Sequence, residues 1–176
     1  DWVRRVASRM RPSYFGLASE INTLAAGGAP ELNAVITDLI NTLAPQVRQI
    51  SPQTQVFVSF QADQANGRLG QTGGIDHFAL IDDYDIDALG LSSYPVFAFD
   101  DPSEIPADYF DAFDAATDLP LLFVEGGWSS EDVPWSSGTP AQQIAFFQHY
   151  EQLLDAVNAE VWVMLTFADL DVASFG

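Results

Sequence analysis

A chain of 176 residues with 48% apolar residues is sized for one buried core and does not have the composition of a disordered protein. Its 25 acidic residues face six arginines and no lysine, and the resulting net charge of −19 excludes phosphate backbones and anionic lipid as expected partners. There is no cysteine, which removes disulfides, thiolate nucleophiles and Cys-ligated metals, and no apolar run approaches the roughly 18 to 20 residues of a membrane span.

The opening Asp1-Trp2-Val3-Arg4-Arg5 is amphipathic where a signal peptide would be hydrophobic, and a start without Met is expected of a processed or trimmed chain. Ser13 to Ala18 (SYFGLA) is a short apolar run, the first predicted strand, and it ends in Ser19-Glu20. After a Gly27-Gly28 turn, Pro30 and Glu31 suit the first turn of a helix. Leu32, Val35, Ile36, Leu39, Ile40, Leu43 and Val47 then recur at three- and four-residue steps as its apolar stripe, and Ser51-Pro52 stops it. Gln55 to Phe60 (QVFVSF) is the second strand. Asp76 is placed to cap a short helix over His77 to Tyr84, and Ile86 to Ser93 (IDALGLSS) is the third strand. Pro106 opens a helix through Ala116, and Leu121 to Val124 is the fourth strand. Pro140 opens another helix through Asn158, with Ile144, Phe147, Leu154 and Val157 inward, and Val161 to Phe167 (VWVMLTF) is the fifth strand.

This alternation predicts an α/β fold with a parallel sheet and right-handed crossovers, in one domain over 1–176. The strands end in polar or aromatic residues: Ser19-Glu20, Gln61-Ala62-Asp63, Ser92-Ser93-Tyr94, Glu125-Gly126-Gly127-Trp128 and Asp169-Leu170-Asp171. Barrels and open doubly wound sheets both build sites from such ends. No GxGxxG or GxxxxGK[ST] follows the first strand, so a partial (β/α)8 TIM barrel of about five strands is expected over the open sheet.

Glu20 ends the first strand and Glu125 the fourth, 105 residues apart, which is three βα units of roughly 35 residues. In a curled sheet those ends face one another across the mouth. Two carboxylates there, about 5 Å apart, can divide the work of a retaining glycosidase, one donating a proton and the other attacking the anomeric carbon. Unequal surroundings would set their roles apart.

The motifs around them resemble the clan A glycoside hydrolases. Leu17-Ala18-Ser19-Glu20-Ile21-Asn22 is similar to the family's fourth-strand acid/base motif, and Leu121 to Ser129 (LLFVEGGWS) to its seventh-strand nucleophile motif, in the form seen in β-1,3-glucanases and galactanase-like proteins. Leu89 to Pro95 (LGLSSYP) resembles the sixth strand, whose Tyr often hydrogen-bonds the nucleophile. The resemblance therefore implies Glu20 as acid/base, Glu125 as nucleophile and Tyr94 as its orienting partner, in a chain corresponding to strands four to eight. It departs from the family at Ser19, where an Asn normally binds the sugar 2-hydroxyl; serine lacks the amide's paired groups.

Ser19, Asn22, Gln61, Ser93 and Asp169 are the candidate contacts to sugar hydroxyls. Trp128 and Trp135 lie in a loop rich in Ser, Pro and Gly, where exposed indoles could stack on sugar rings or instead pack over the rim. Trp162 and Phe167 read as core. His77 and His149 fall in predicted helices away from the strand ends, and no GxSxG accompanies them. The run Asp82-Asp83-Tyr84-Asp85-Ile86-Asp87 lacks the glycine and closing Glu of a calcium loop and reads as solvated charge, so no metal and no cofactor is expected.

Five parallel strands leave two unpaired edges and an open apolar interior. Three arrangements follow: a missing N-terminal half completes the barrel, a homodimer covers the edges, or a lone domain has lost activity. The function expected is a retaining β-glycosidase, or the catalytic part of one, whose partner is a β-linked oligo- or polysaccharide. The rival is a non-catalytic carbohydrate-binding or assembly module. The acidity suits either high salt or secretion, and an extracellular location is the expectation.

Overall fold

The computed structural model describes residues 1–70, 74–133 and 136–164. Its elements are α1 (Trp2–Met10), β1 (Tyr14–Gly16), α2 (Ile21–Ala26), α3 (Pro30–Ile50), β2 (Gln55–Gln61), α4 (Ala62–Ala65), β3 (Ala88–Ser93), α5 (Asp111–Ala116), β4 (Leu121–Gly126), α6 (Pro140–Ala156) and β5 (Val161–Trp162). The five strands form one sheet in the order β1-β2-β3-β4-β5, and every pairing is parallel. The chain is a curled half-barrel, the partial (β/α)8 barrel expected from the alternation.

The sheet has two chemically distinct faces. Val56, Val58 and Phe60 of β2 line up with Leu89 and Leu91 of β3 and with Leu121 and Phe123 of β4, and all are buried under the helices. Phe123 packs edge-on against Phe110 and Tyr150, with ring centroids 4.7 Å and 5.9 Å away. Alternate residues face the concave side. There Gly16, Phe57 and Ala88 form one row, Ser59, Gly90, Leu122 and Val161 the next, and Gln61, Ser92 and Glu125 the last, at the C-terminal rim. The Phe57 ring occupies the space that side chains at Gly16 and Gly90 would fill, within 2.7 Å and 2.9 Å of their virtual Cβ positions. Phe57 thus fills part of the expected open interior. The curl also brings the edges together: Tyr14 of β1 donates its hydroxyl to Glu160, the residue before β5.

Several helix expectations are corrected. Only the second half of the α3 stripe is buried, at Ile40, Ala44 and Val47, while Leu32, Val35 and Leu39 are exposed. A helix of 21 residues is roughly 31 Å long and β2 spans roughly 23 Å, so the first turns of α3 overhang the sheet. In α6 the inward residues are Phe146, Tyr150, Leu153 and Leu154, with Val157 buried just after the helix, whereas Ile144 is exposed. The aromatic pair sets that phase, because Phe146 and Tyr150 stack on each other at 4.7 Å and cover Trp128 and Phe123. The predicted helix over 77–84 is a short 3₁₀ turn, Ala79–Asp83, although Asp76 does accept the Phe78 and Ala79 N–H groups. That over 106–116 is helical only from Asp111, the preceding residues forming i→i+3 turns. Trp162 is partly exposed, packed on Phe147 and Tyr150, and Phe167 lies outside the described residues.

The acidic run is not simply solvated either. Arg48 bonds Asp85 at 2.8 Å and Asp87 at 3.0 Å, and Asp87 also accepts the Val56 N–H. This cluster borders a cavity of about 590 Å³ at the N-terminal ends of the strands, opposite the glutamate rim.

Candidate functional site

Glu20 reaches the rim through an unusual backbone. Pairing of β1 with β2 continues past Gly16, through Leu17 N–H to Phe57 O and Ser59 N–H to Ala18 O. Glu20 then adopts the left-handed conformation, with φ 49° and ψ 41°, before α2 begins. For a residue with a Cβ this costs of order 1 kcal/mol or more and marks a position held by its surroundings. The surroundings here are Ser59 Oγ, which accepts the Glu20 N–H at 3.0 Å, and Thr23, whose hydroxyl and N–H both bond the Glu20 carbonyl. At the other end, Ser92 Oγ donates to Glu20 Oε1 at 2.7 Å.

Glu125 reaches the same row by a β-bulge. Leu91 pairs with Phe123 but Ser92 pairs with Glu125, so Val124 is the extra residue. In an unbroken alternation from Leu122, residue 125 would face the helices; the bulge turns it to the concave side. The next residue must be small. A Cβ on Gly126 would stand 2.5 Å from the Ser93 carbonyl oxygen, so glycine is what lets β4 lie this close to β3 at the rim.

Tyr94, just past β3, donates its hydroxyl to Glu125 Oε1 at 2.6 Å. Burial, then the Glu125 bond, then the charges of Glu125 and Glu20 push that hydroxyl far above the ordinary tyrosine value of 10.0, so it remains a donor. Glu20, Ser92, Tyr94 and Glu125 therefore form one constellation. One carboxylate is held by Ser92 and the other by Tyr94, two residues further along the same chain segment. Each carboxylate keeps a second oxygen with no bond among the described residues.

The remaining expected site residues divide sharply. Ser19 is exposed at the rim, its hydroxyl 3.3 Å from Ser59 Oγ. Asn22 is fully buried and structural: its Oδ1 accepts the Gln61 N–H and its Nδ2 donates to the Gln61 carbonyl, tying α2 to the end of β2. The same Nδ2 is 3.0 Å from His77 Nδ1, so buried His77 packs at the strand ends and not away from them as expected. Gln61 is buried and caps α4 through its bond to Gln64 N–H. Ser93 faces the helices and donates to Asp63 Oδ1. Trp128 is a correction: it is 3% exposed, stacked 5.5 Å from Phe146, and cannot offer an indole face to a sugar. The loop folds back there because Gln143 of α6 donates to the Trp128 carbonyl at 2.7 Å. Trp135 and Asp169 lie outside the described residues.

Searched against known proteins, the sequence matches no protein-family model and no curated protein. The fold does find neighbours. The GH53 catalytic domain of Ignisphaera aggregans superposes with a TM-score of 0.60 at 15% identity, over 93% of this chain and 52% of that one. An active-site mutant of the Rhizomucor miehei β-1,3-glucanosyltransferase, solved in complex with laminaritriose, gives 0.50 at 13% identity, over 80% of this chain and 50% of that one. The fold this chain shares with them is a partial (β/α)8 barrel. The chain spans about half the length of these neighbours.

Two rim residues escaped the sequence reading. Ser92 and Ser59 hold Glu20, yet of the Ser92-Ser93 pair it was Ser93 that looked like the contact. The signal was parity: Tyr94 was expected at the mouth, and in extended chain the residue sharing its side is Ser92.

Proposed function

We propose that this chain carries the catalytic carboxylates of a retaining β-glycoside hydrolase, with Glu20 as acid/base and Glu125 as nucleophile. The observation that supports this reading is the pair's shared anchorage: Ser92 on Glu20 and Tyr94 on Glu125 bring both carboxyl groups to one concave rim. In the first step Glu125 attacks the anomeric carbon while Glu20 protonates the departing glycosidic oxygen, leaving a glycosyl ester on Glu125. In the second, Glu20 takes a proton from water, and that water displaces the sugar with net retention. Tyr94 fixes Oε1 of Glu125, which leaves Oε2 to form the ester bond.

The substrate class proposed is a β-linked glycan. β-1,3-Glucan and β-1,4-galactan are the first to try, from the resemblance of the two glutamate motifs; one fold neighbour was solved with laminaritriose. The rest of the barrel, whether a further segment or a second copy, is part of the same proposal. A second reading, a carbohydrate-binding module without turnover, is favoured by Ser19 in place of the amide.

Hydrolysis of a panel of aryl β-glycosides by wild type, Glu20→Gln and Glu125→Gln separates the two. The enzyme reading expects wild-type turnover that both substitutions abolish. Turnover that survives both discards it, and binding without turnover supports the module.

A further inference from the structure

Asp63 lies just beyond the end of β2, in the first turn of α4, and is completely buried. Among the described residues it has no ion-pair partner. Its carboxylate is satisfied by four donors instead. Oδ1 takes the Tyr109 hydroxyl at 2.7 Å and the Ser93 hydroxyl at 3.0 Å. Oδ2 takes the Tyr94 backbone N–H at 2.6 Å and Gln61 Nε2 at 3.0 Å. The four donors come from three separate segments: the end of β2, the end of β3, and the turn before α5.

A buried carboxylate without a cation carries a desolvation penalty that a neutral side chain would not. Such a group persists where its geometry is needed, and here the geometry converges on Tyr94. The Asp63–Tyr94 contact is the shortest of the four, and Ser93 precedes Tyr94 directly. Asp63 therefore holds the N–H of the Ser93–Tyr94 peptide and the Ser93 side chain that precedes it. The Tyr94 ring leaves this gripped segment, leans on Phe97 at 5.8 Å, and ends with its hydroxyl on Glu125. Tyr109 supports the grip from behind: burial and the Asp63 charge hold its phenol far above 10.0, so it stays a donor.

We propose that Asp63 is the positioning residue of the site, fixing the Ser93–Tyr94 backbone so that the Tyr94 hydroxyl holds Glu125 in line for attack. It touches neither substrate nor reacting atoms and acts through Tyr94 alone. The inference rests on Glu125 being the nucleophile, so its test has one readout that needs no turnover.

That readout is the ¹³Cζ resonance of Tyr94 in the full chain labelled at tyrosine, assigned by its loss in Tyr94→Phe. Glu125→Gln marks where the signal moves when the phenol loses its carboxylate. Asp63→Asn, with far-ultraviolet circular dichroism showing it folded, is expected to move the Tyr94 signal in the same direction. An unmoved signal overturns the proposal. Should Asp63→Asn not fold, Tyr109→Phe removes one support from Asp63 and no atom of the Tyr94 segment; a Tyr94 shift there supports the inference and an unmoved signal overturns it.

Kinetics supply the second arm. On the aryl β-glycoside that wild type turns over, Asp63→Asn is expected to lower kcat by about a hundredfold, the loss typical of a small misplacement, with KM little changed. Made in the Tyr94→Phe background, it should cost almost nothing more. Equal losses in both backgrounds overturn the route through Tyr94. Absence of wild-type turnover on every glycoside counts against the glutamate roles, and the resonance still decides what Asp63 does to Tyr94.

Discussion

Ser92 donates its hydroxyl to Glu20 at 2.7 Å across 72 residues of chain, from a position whose main chain is paired with Glu125. Removing that donor in Ser92→Ala leaves the Glu20 carboxylate without its one hydrogen bond among the described residues. A hydrogen bond to a charged group is worth about 1.5 to 3 kcal/mol, so a loss of about ten- to a hundredfold in kcat is expected. Because Glu20 is proposed as the acid, the loss should be larger for a phenyl glycoside than for a dinitrophenyl one, whose leaving group needs no proton. Equal losses for both would place Ser92 outside the acid's function.

Gly126→Ala tests the close approach of β4 to β3. The added methyl would meet the Ser93 carbonyl at 2.5 Å, so the strands must part at the rim. Overpacking of this kind costs about 1 to 3 kcal/mol, readable as a fall in the urea midpoint. The same shift separates Glu125 from Tyr94, and turnover should fall beyond what the stability loss explains.

Much of the fold was legible because its signals are local. Strand and helix alternate with clear breaks at Gly27-Gly28, Ser51-Pro52 and Pro140, and Glu20 and Glu125 stand directly after apolar runs. What stayed hidden depends on partners distant in sequence. The bulge at Val124 reverses the parity that would read Glu125 as helix-facing, and nothing in LLFVEGG announces it. Tyr109 bonds Asp63, 46 residues away, from the turns that precede Asp111, where the helix expected from Pro106 begins. Trp128 read as a loop residue because the Phe146 that buries it lies on a later helix.

Trp128 should accordingly behave as core. Trp128→Ala is expected to cost about 3 to 5 kcal/mol in unfolding free energy, as large aromatic truncations do. A cost below about 1 kcal/mol, the range of surface substitutions, would return Trp128 to the rim.

Alkaline pH tests the buried tyrosines. Tyr109 and Tyr150 are raised far above 10.0, each by burial first; Asp63's charge adds to both. Above pH 10 the unfolded tyrosines ionise while the folded ones keep their protons, so the unfolded state binds fewer. Their contribution to stability is thus complete below pH 10 and declines as pH rises past it, by about 1.4 kcal/mol per pH unit for each group. Urea unfolding at pH 9, 10.5 and 11.5 should show this decline, and Tyr109→Phe should lessen its slope. An unchanged slope in Tyr109→Phe would contradict the burial of that phenol.

The most direct test of the glutamate pair is covalent capture. A 2-deoxy-2-fluoro aryl β-glycoside with a good leaving group slows the second step more than the first, so the glycosyl ester accumulates. Peptide mass spectrometry is predicted to find the sugar on Glu125, with labelling greatly slowed in Tyr94→Phe. An ester on any other carboxylate, or hydrolysis that inverts the anomeric centre, would contradict the account.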